Sequence, residues 1–169
     1  MDILTEKGQI SQQQELDAVG LFLRKYPTLS YIHTPKNRPV CFDGFVVKDN
    51  EVKSLVEVKC RNILGQKLKT AYKNEWLITY DKFLEIQKIA EVLYLPITFF
   101  FYLVPEKTLL VKRVWDPETK QTAKHYVETR NTQATVNGGR KICDCMFIDV
   151  SNATVIKAVS YTHLRAHET

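Results

Sequence analysis

The sequence lacks the features of a membrane or secreted protein. Its 169 residues contain no apolar run near the roughly 18 residues that a bilayer-spanning helix needs. The first six residues, Met1 to Glu6, have neither the basic start nor the following apolar stretch of a secretion signal. These absences predict a cytoplasmic protein that has no membrane as a partner.

Internal repeats and low-complexity segments are also missing from the chain. Hydrophobic residues make up 44% and charged residues 25% of the sequence, a balance typical of one globular domain with a buried core. The formal net charge of +5 indicates a mildly basic protein. Such an excess is compatible with a polyanionic partner but is also found in proteins that bind no nucleic acid.

Cysteine is scarce, with four residues in the chain: Cys41, Cys60, Cys143 and Cys145. No Cys-x-x-Cys pair occurs, and one residue between Cys143 and Cys145 is too few for the usual zinc-binding spacing. In a chain without a secretion signal, we interpret the four as reduced thiols that pack as small hydrophobic side chains. A four-cysteine zinc site is the less favoured alternative.

The last eleven residues, 159–169, resemble one reading frame of a common sequencing-library transposon adapter. We therefore expect the natural chain to be truncated near Ala158 and the domain to comprise residues 1–158. The tail contains His163 and His167, two of the four histidines. The other two, His33 and His125, have no partners at an informative spacing, so no role is assigned to them.

Apolar periodicity predicts two helices and several strands. One helix begins at Ser11, where Gln14 completes a capping-box pattern, and ends before Pro27. A second runs from about Asp81 to Tyr94. The predicted strands are 30–34, 40–48, 52–61, 97–104, 108–115 and 142–150.

The most apolar strand, 97–104, is expected at the centre of the sheet. Residues 62–74 predict a loop or a short helix, and 116–140 have no clear pattern. The order of elements indicates an α/β or α+β domain, with helices flanking one mixed sheet.

A hairpin is predicted between the strands 40–48 and 52–61, because Asp49-Asn50 is typical of a turn. A three-residue turn centred on Asn50 makes paired residue numbers sum to 100. This register places Asp43 across from Glu57, and Cys41 across from Lys59. A two-residue turn would place Asp43 opposite Val56, whose side chain points to the other face. A site on this hairpin therefore requires a bulged or three-residue turn.

Asp43, Glu57 and Lys59 together suit metal-assisted phosphoryl chemistry. Mg²⁺ takes oxygen ligands and keeps several waters, so that two protein carboxylates are sufficient to hold it. A nearby ammonium group can orient the attacking water or offset charge on phosphorus. The alternative is an ordinary half-exposed sheet face. Phe45, Val47 and Leu55 share that face, however, and a charged group among apolar side chains needs compensation.

The motifs Phe42-Asp43-Gly44 and Glu57-Val58-Lys59, between a preceding and a following helix, resemble the PD-(D/E)XK nuclease superfamily. The resemblance covers about residues 11–104 and implies the α-β-β-β-α-β restriction-endonuclease-like core. It implies that Asp43 and Glu57 bind Mg²⁺ or Mn²⁺ and that Lys59 assists catalysis. Glu15 matches a helical glutamate that many members place near the metal. One departure is that no proline directly precedes Asp43.

The resemblance implies a magnesium-dependent nuclease acting on DNA, either a structure-specific endonuclease or a junction resolvase, as a monomer or a homodimer. Basic residues expected to contact the DNA backbone flank the cluster: Lys36, Arg38, Arg61, Lys67, Lys69, Lys73 and Lys82. Ordinary solvated lysines are an equal alternative for each of them. For the whole chain, the alternatives are a nucleic-acid-binding module without turnover and a structural subunit.

Overall fold

The computed structural model describes residues 5–134 and 139–159, and contains three helices and nine strands within these ranges. The helices are α1 (Glu6–Lys25), α2 (Gly65–Thr70) and α3 (Tyr80–Leu93). The strands are β1 (Ser30–His33), β2 (Gly44–Lys48), β3 (Glu51–Arg61), β4 (Glu75–Thr79), β5 (Ile97–Leu103), β6 (Thr108–Trp115), β7 (His125–Ala134), β8 (Arg140–Asp149) and β9 (Thr154–Lys157). The adapter-like residues 160–169, with both of their histidines, lie outside the described residues.

The strands form two sheets. The larger has six strands in the order β1-β2-β3-β5-β6-β9, and the smaller has three in the order β4-β8-β7. Strands β3 and β5 are parallel, whereas every other pair described is antiparallel. The mixed α/β class is therefore confirmed, as is the predicted order of helix, three strands, helix and strand, into which α2 and β4 are inserted. None of the helices in the described ranges is long and apolar enough to cross a membrane.

Strand β5 lies at the centre of the larger sheet, as its apolar sequence predicts. All seven of its residues are buried, between β3 on one side and β6 on the other. Phe100 points toward α1, where it packs against Phe22. Phe99 and Phe101 point to the opposite face and join a core that includes α3 and the smaller sheet. Full burial of each such side chain contributes roughly 1.5–3 kcal/mol to folding.

Helix α1 begins earlier than predicted. The hydroxyl of Thr5 accepts a hydrogen bond from the backbone N–H of Gly8 at 3.0 Å, which makes Thr5 the N-cap. Ser11, the predicted start, therefore lies inside the helix. Glu6 in the first turn interacts favourably with the helix dipole and supports this earlier start. The predicted end before Pro27 is confirmed, because the helix stops at Lys25.

Three strands were not predicted: β4, β7 and β9. Strand β4 has only five residues, and tertiary pairing with β8 supplies most of what stabilises it. Strand β7 falls in the polar region 116–140, where it pairs with β8 through its backbone and exposes most of its first half. In the region 62–74, the alternative of a short helix is the correct one, since α2 lies there.

The turn between β2 and β3 is shorter than predicted. It has two residues, Asp49 and Asn50, both with positive φ (52° and 62°), the backbone conformation of a tight hairpin turn. Next to this turn Val47 pairs with Val52, so paired residue numbers sum to 99. Of the two predicted alternatives, the three-residue turn is therefore wrong, and the bulge is the one that occurs.

A β-bulge restores the predicted register beyond the turn. Val46 pairs with Ser54, so Lys53 is the extra residue, and the sum of 100 then holds as far as the pair of Gly44 with Val56. The bulge therefore does what an odd-length turn would have done. Strand β2 begins only at Gly44, so neither Asp43 nor Cys41 has the paired position predicted for it. The residues just before Gly44 belong to no strand, and the chain bends at Cys41 and Phe42.

Candidate active site

Asp43 lies where β2 and β3 separate. Its backbone N–H donates to the carbonyl of Val56 at 3.0 Å. Its carboxylate Oδ2 accepts a hydrogen bond of 2.7 Å from the backbone N–H of Val58. The side chain therefore takes the place of the main-chain acceptor that a continuing strand would supply, which explains why the regular pairing ends here. This bond fixes the Asp43 carboxylate beside β3.

The backbone next to Asp43 is held tightly from the side of β1. Thr34 donates from its backbone N–H to the carbonyl of Asp43 at 2.9 Å, and from its hydroxyl to the carbonyl of Phe42 at 2.7 Å. At Gly44 a Cβ atom would lie 2.4 Å from the ring of Tyr31 and 2.5 Å from the carbonyl oxygen of Ile32. Glycine is therefore required by the close approach of β1, which positions Asp43.

Glu57 and Lys59 extend from β3 on the face that packs toward α3. Glu57 is buried, with 4% of its surface exposed, and its Oε2 has no hydrogen-bond partner among the described residues. The ammonium of Lys59 lies 3.6 Å from its Oε1. Burial, followed by the charge of Asp43, raises the pKa of Glu57 to about 8, against the opposing effect of Lys59 and Lys82. Near neutral pH this carboxyl group therefore holds a proton.

Glu15 approaches Asp43 from the opposite face of the sheet. Helix α1 packs on the side of β3 that carries Val56 and Val58, whereas Glu57 lies on the other side. Glu15 is buried, and its burial, followed by the charge of Asp43, raises its pKa. Asp43 thus stands between two carboxyl groups that reach it from different faces. The sequence could place Glu15 only at the edge of its apolar stripe.

The ammonium group of Lys36 lies between Glu15 and Asp43. It donates to Glu15 Oε1 at 2.8 Å and to Asp43 Oδ1 at 3.1 Å. Although burial lowers the pKa of Lys36, the hydrogen bonds to the two acids raise it overall. The sequence analysis assigns Lys36 to DNA binding and does not foresee this contact. A separation of 21 positions from Glu15 leaves no pattern that could reveal it.

Tyr31 is a second neighbour of the cluster that the sequence analysis misses. Its hydroxyl is buried and has no hydrogen-bond partner among the residues described. Burial, followed by the charges of Asp43, Glu15 and Glu57, raises its pKa. Its ring packs edge-on against His33, with 4.6 Å between the ring centroids. Tyr31 carries no motif in the sequence, so only the fold brings it to the acids.

A ligand set for a metal ion is incomplete in this arrangement. In the described ranges, no three histidine, cysteine, aspartate or glutamate side chains lie close enough together to hold a metal ion. Two carboxylates with water ligands are sufficient for Mg²⁺. Two observations fit a cation here: Glu57 Oε2 lacks a partner, and the space between Glu15 and Asp43 already accommodates a positive group.

A cleft of about 640 Å³ opens at Glu15 and Asp43. The loop 34–42 forms one of its walls, and Lys82 from α3 also lines it. Three of the basic residues predicted to contact DNA therefore surround this cleft: Lys36, Arg38 and Lys82. These cationic side chains line the same cleft as the acids.

The other four predicted contacts lie at the last residue of β3, on α2 and in the turn after α2. The guanidinium of Arg61 lies 5.6 Å from the ring centroid of Tyr72 and 5.2 Å from that of Trp76. Lys67 approaches the same tyrosine ring at 5.8 Å. Lys69 lines a second cleft, and Lys73 has a positive φ in the turn before β4. Cation–π packing gives Arg61 a structural role, and none of the four lines the cleft at Asp43.

The raised pKa of Glu57 predicts that stability falls as pH rises. In the unfolded chain this group has its ordinary pKa of 4.5, whereas in the folded protein the value is about 8. Between these values the folded state holds a proton that the unfolded state releases, so the free energy of unfolding decreases with pH. Glu57→Gln should remove this loss and stabilise the protein at pH 8.5 by roughly 2 kcal/mol or more.

Urea unfolding in EDTA at pH 5.5 and 8.5 measures this effect for the wild type and Glu57→Gln. In the variant the free energy of unfolding should still decrease with pH, but less steeply, because the pKa of Glu15 is raised as well. Glu51→Gln, which changes an exposed glutamate at the start of the same strand, is the matched control and should follow the wild type. Parallel pH dependences for wild type and Glu57→Gln would contradict the prediction.

Comparison of the chain with protein-family models, with curated proteins and with solved structures gives no match in any of the three. The fold defines the structural class of the protein: it is a mixed α/β protein with a six-stranded and a three-stranded sheet. The site adds a cluster of three carboxyl groups and two lysines around the end of β2: Glu15, Lys36, Asp43, Glu57 and Lys59.

Proposed function

We propose that the protein is a metal-dependent nuclease that hydrolyses phosphodiester bonds in DNA. The observation that carries the proposal is the bulge at Lys53, because it sets the register at Gly44 and so places the Asp43 carboxylate, which accepts a hydrogen bond from Val58, beside the strand that carries Glu57 and Lys59. A buried, unpartnered carboxylate oxygen is costly to maintain and calls for a partner that supplies charge or a proton. The motif resemblance to the PD-(D/E)XK nucleases supports the same conclusion.

In this proposal Asp43 and Glu57 hold Mg²⁺ or Mn²⁺, two carboxylates being sufficient. Glu15 would join them as a further ligand only after its side chain moves, because the three carboxyl groups as placed do not surround one ion. A divalent cation, when bound, lowers the pKa of water and offsets the charge that develops on a phosphodiester. Glu57 gives up its proton to serve as a ligand, which makes metal binding pH-dependent. The ammonium of Lys59, 3.6 Å from Glu57, orients the attacking water or stabilises the phosphorus centre.

The substrate proposed is DNA that is recognised by its backbone. Lysine and arginine side chains around the cleft offer contacts to phosphates, and such contacts carry no base sequence. A structure-specific endonuclease or junction resolvase fits these contacts better than a sequence-specific enzyme does. Whether the enzyme acts as a monomer or a homodimer is decided by its mass in solution, alone and bound to a four-way junction.

The test is cleavage of labelled duplex, single-stranded, flap and four-way junction DNA with Mg²⁺, Mn²⁺, Ca²⁺ or EDTA. We expect cleavage with Mg²⁺ or Mn²⁺ and none in EDTA, because the carboxylates act through the cation. Ca²⁺ should support DNA binding without turnover. Cleavage that persists in EDTA would refute the metal mechanism. Binding without cleavage under every condition would establish instead the alternative of a nucleic-acid-binding module.

A further inference from the structure

Lys36 is placed as an internal counter-ion. Its ammonium donates to both Glu15 and Asp43, at 2.8 and 3.1 Å, and each of these acids is a proposed metal ligand. These are the closest ion-pair contacts described for either acid. A cation between two carboxylates relieves the repulsion that would otherwise oppose their burial. Lys36 thus supplies in the metal-free protein part of the charge that a metal would supply.

The ammonium of Lys36 and a divalent cation exclude each other from this position. A metal bound by Asp43 and Glu15 would lie about 2.1 Å from their oxygens. The nitrogen of Lys36 is already within 3.1 Å of the same two residues. Two positive groups so close together repel each other strongly in a partly buried site. Metal binding at Asp43 and Glu15 therefore requires that Lys36 move away.

The cleft determines where the displaced side chain can go. Lys36 lies on the loop 34–42, whose end is fixed by the bonds of Thr34 to Phe42 and Asp43. About a quarter of the side chain is exposed, and it lines the cleft together with Arg38 and Lys82. Rotation of the flexible side chain, without a change in the backbone, is enough to point the ammonium into the cleft. There it faces the position of the DNA backbone in the proposed complex.

We infer that Lys36 is a positioning residue that links metal binding to DNA binding, an inference that rests on the proposed nuclease function. Without metal, its ammonium holds Glu15 and Asp43. With metal, the ammonium leaves the acids and contacts a phosphate of the DNA. Linkage is reciprocal, so the cation strengthens DNA binding through Lys36, and DNA strengthens cation binding by the same factor.

The first measurement is calorimetric titration of Mn²⁺ into the protein without DNA. Lys36→Met removes the competing charge but keeps most of the apolar stem, so the variant should bind Mn²⁺ about tenfold more tightly than the wild type. Lys48→Met removes an equal charge from the exposed end of β2 and should leave the Mn²⁺ affinity unchanged. A Lys36→Met variant that binds Mn²⁺ no more tightly than the wild type overturns the inference.

The second measurement is binding of a non-cleavable phosphorothioate duplex with and without Ca²⁺. In the wild type, Ca²⁺ should strengthen binding, whereas in Lys36→Met most of this gain should be lost, although the metal site is filled more readily. Lys36→Arg keeps a charge on a flexible stem and should retain most of the gain. An equal gain from Ca²⁺ in all three proteins contradicts the link through Lys36.

Both readouts are separate from DNA cleavage. If the wild type cleaves DNA with Mg²⁺ but Lys36→Met leaves Mn²⁺ affinity unchanged, the inference fails and the proposed nuclease stands. If no substrate is cleaved but Mn²⁺ binds more tightly to Lys36→Met, the nuclease proposal fails and the displacement of Lys36 is supported. If Lys36→Met unfolds at the assay temperature, Mn²⁺ is titrated into Lys36→Gln instead, which keeps a neutral donor near the acids. This variant too should bind Mn²⁺ more tightly than the wild type, and equal affinity overturns the inference.

Discussion

Asp43→Asn should lower the rate of DNA cleavage with Mg²⁺ by at least about a thousandfold. Asp43 is the acid that interacts with both of the others, since its charge raises the pKa of Glu15 and of Glu57. Its substitution takes away the proposed ligand that lies between Glu15 on one face of the sheet and Glu57 on the other. The amide cannot provide the negative charge that a divalent cation requires. Single-turnover cleavage of a labelled junction measures the loss.

The same variant should remain folded. An asparagine oxygen can still accept the hydrogen bond from Val58 that Asp43 Oδ2 accepts at 2.7 Å. Loss of the Asp43 charge also relieves the repulsion of Glu15 and Glu57, which offsets the weaker bond to Lys36. Thermal melting in EDTA should therefore shift by only a few degrees. Asp17→Asn, on the exposed side of α1, is the matched control and should cleave at the wild-type rate. Cleavage by Asp43→Asn within tenfold of wild type would exclude Asp43 from the active site.

Lys59→Met should lower the rate of DNA cleavage by about a hundredfold to a thousandfold, the loss typical of removing one stabilising donor from an active site. Lys59 is the closest cation to Glu57 in the described part of the chain, and about a third of its side chain is exposed. It can therefore reach a substrate while it contacts the buried acid. The methionine side chain retains the apolar stem and removes only the charged end.

A second readout distinguishes a catalytic lysine from one that only stabilises Glu57. The charge of Lys59 lowers the pKa of Glu57, so its loss should raise that pKa further and weaken Mn²⁺ binding at pH 7 more than at pH 9. If Lys59 acts only through Glu57, the ratio of the wild-type to the variant cleavage rate should fall toward one as the pH rises from 7 to 9. If it acts on the substrate, that ratio should stay the same. Lys48→Met, at the exposed end of β2, is the control. A wild-type rate for Lys59→Met at both pH values would refute its assignment.

Local patterns were sufficient to predict the elements whose buried residues form an unbroken run or repeat at helical spacing. Strand β5 has seven consecutive buried residues, and α3 repeats buried residues at helical spacing, at Phe83, Ile86 and Ala90. Both predictions are confirmed to within one residue at nearly every end. Strands β4 and β9 are short, and pairing with distant strands forms them more than their own sequence does. That kind of stabilisation is not visible in a window of neighbouring residues.

The hairpin was predicted with two alternatives, a bulge or a three-residue turn, and the bulge is the one that occurs. The requirement that Asp43 and Glu57 share a face predicted the register that holds at Gly44. The tight turn forms at Asp49 and Asn50, which tolerate positive φ. The position of the bulge was not predicted, because Lys53 and its neighbour Ser54 are polar and an extra residue there disturbs no apolar alternation.

The candidate site was foreseen on β3 and missed on the loop 34–42. Glu57 and Lys59 are two positions apart on one strand, and because strand side chains alternate between faces, the sequence alone places both on the same face. Lys36 reaches Glu15 only because the loop after β1 and the first half of α1 line one cleft, and nothing in the separation of these residues indicates it. Arg61 packs over Tyr72 and Trp76, which lie beside it once α2 and β4 have formed, and its contact with DNA stays a prediction.

The bulge at Lys53 links the number of residues between Asp43 and Glu57 to the faces of the sheet on which the two acids lie. Thirteen residues separate Asp43 from Glu57, and with this odd number the two acids share a face only if the hairpin has one bulge or a three-residue turn. Loss of Lys53 itself would remove the bulge and leave both acids facing as they do now, because Val52 and Ser54 would then be neighbours in a regular ladder. Loss of a different residue would keep the two acids on one face only if the bulge disappeared as well. Loss of two residues would shorten the hairpin and leave both acids facing as they do now.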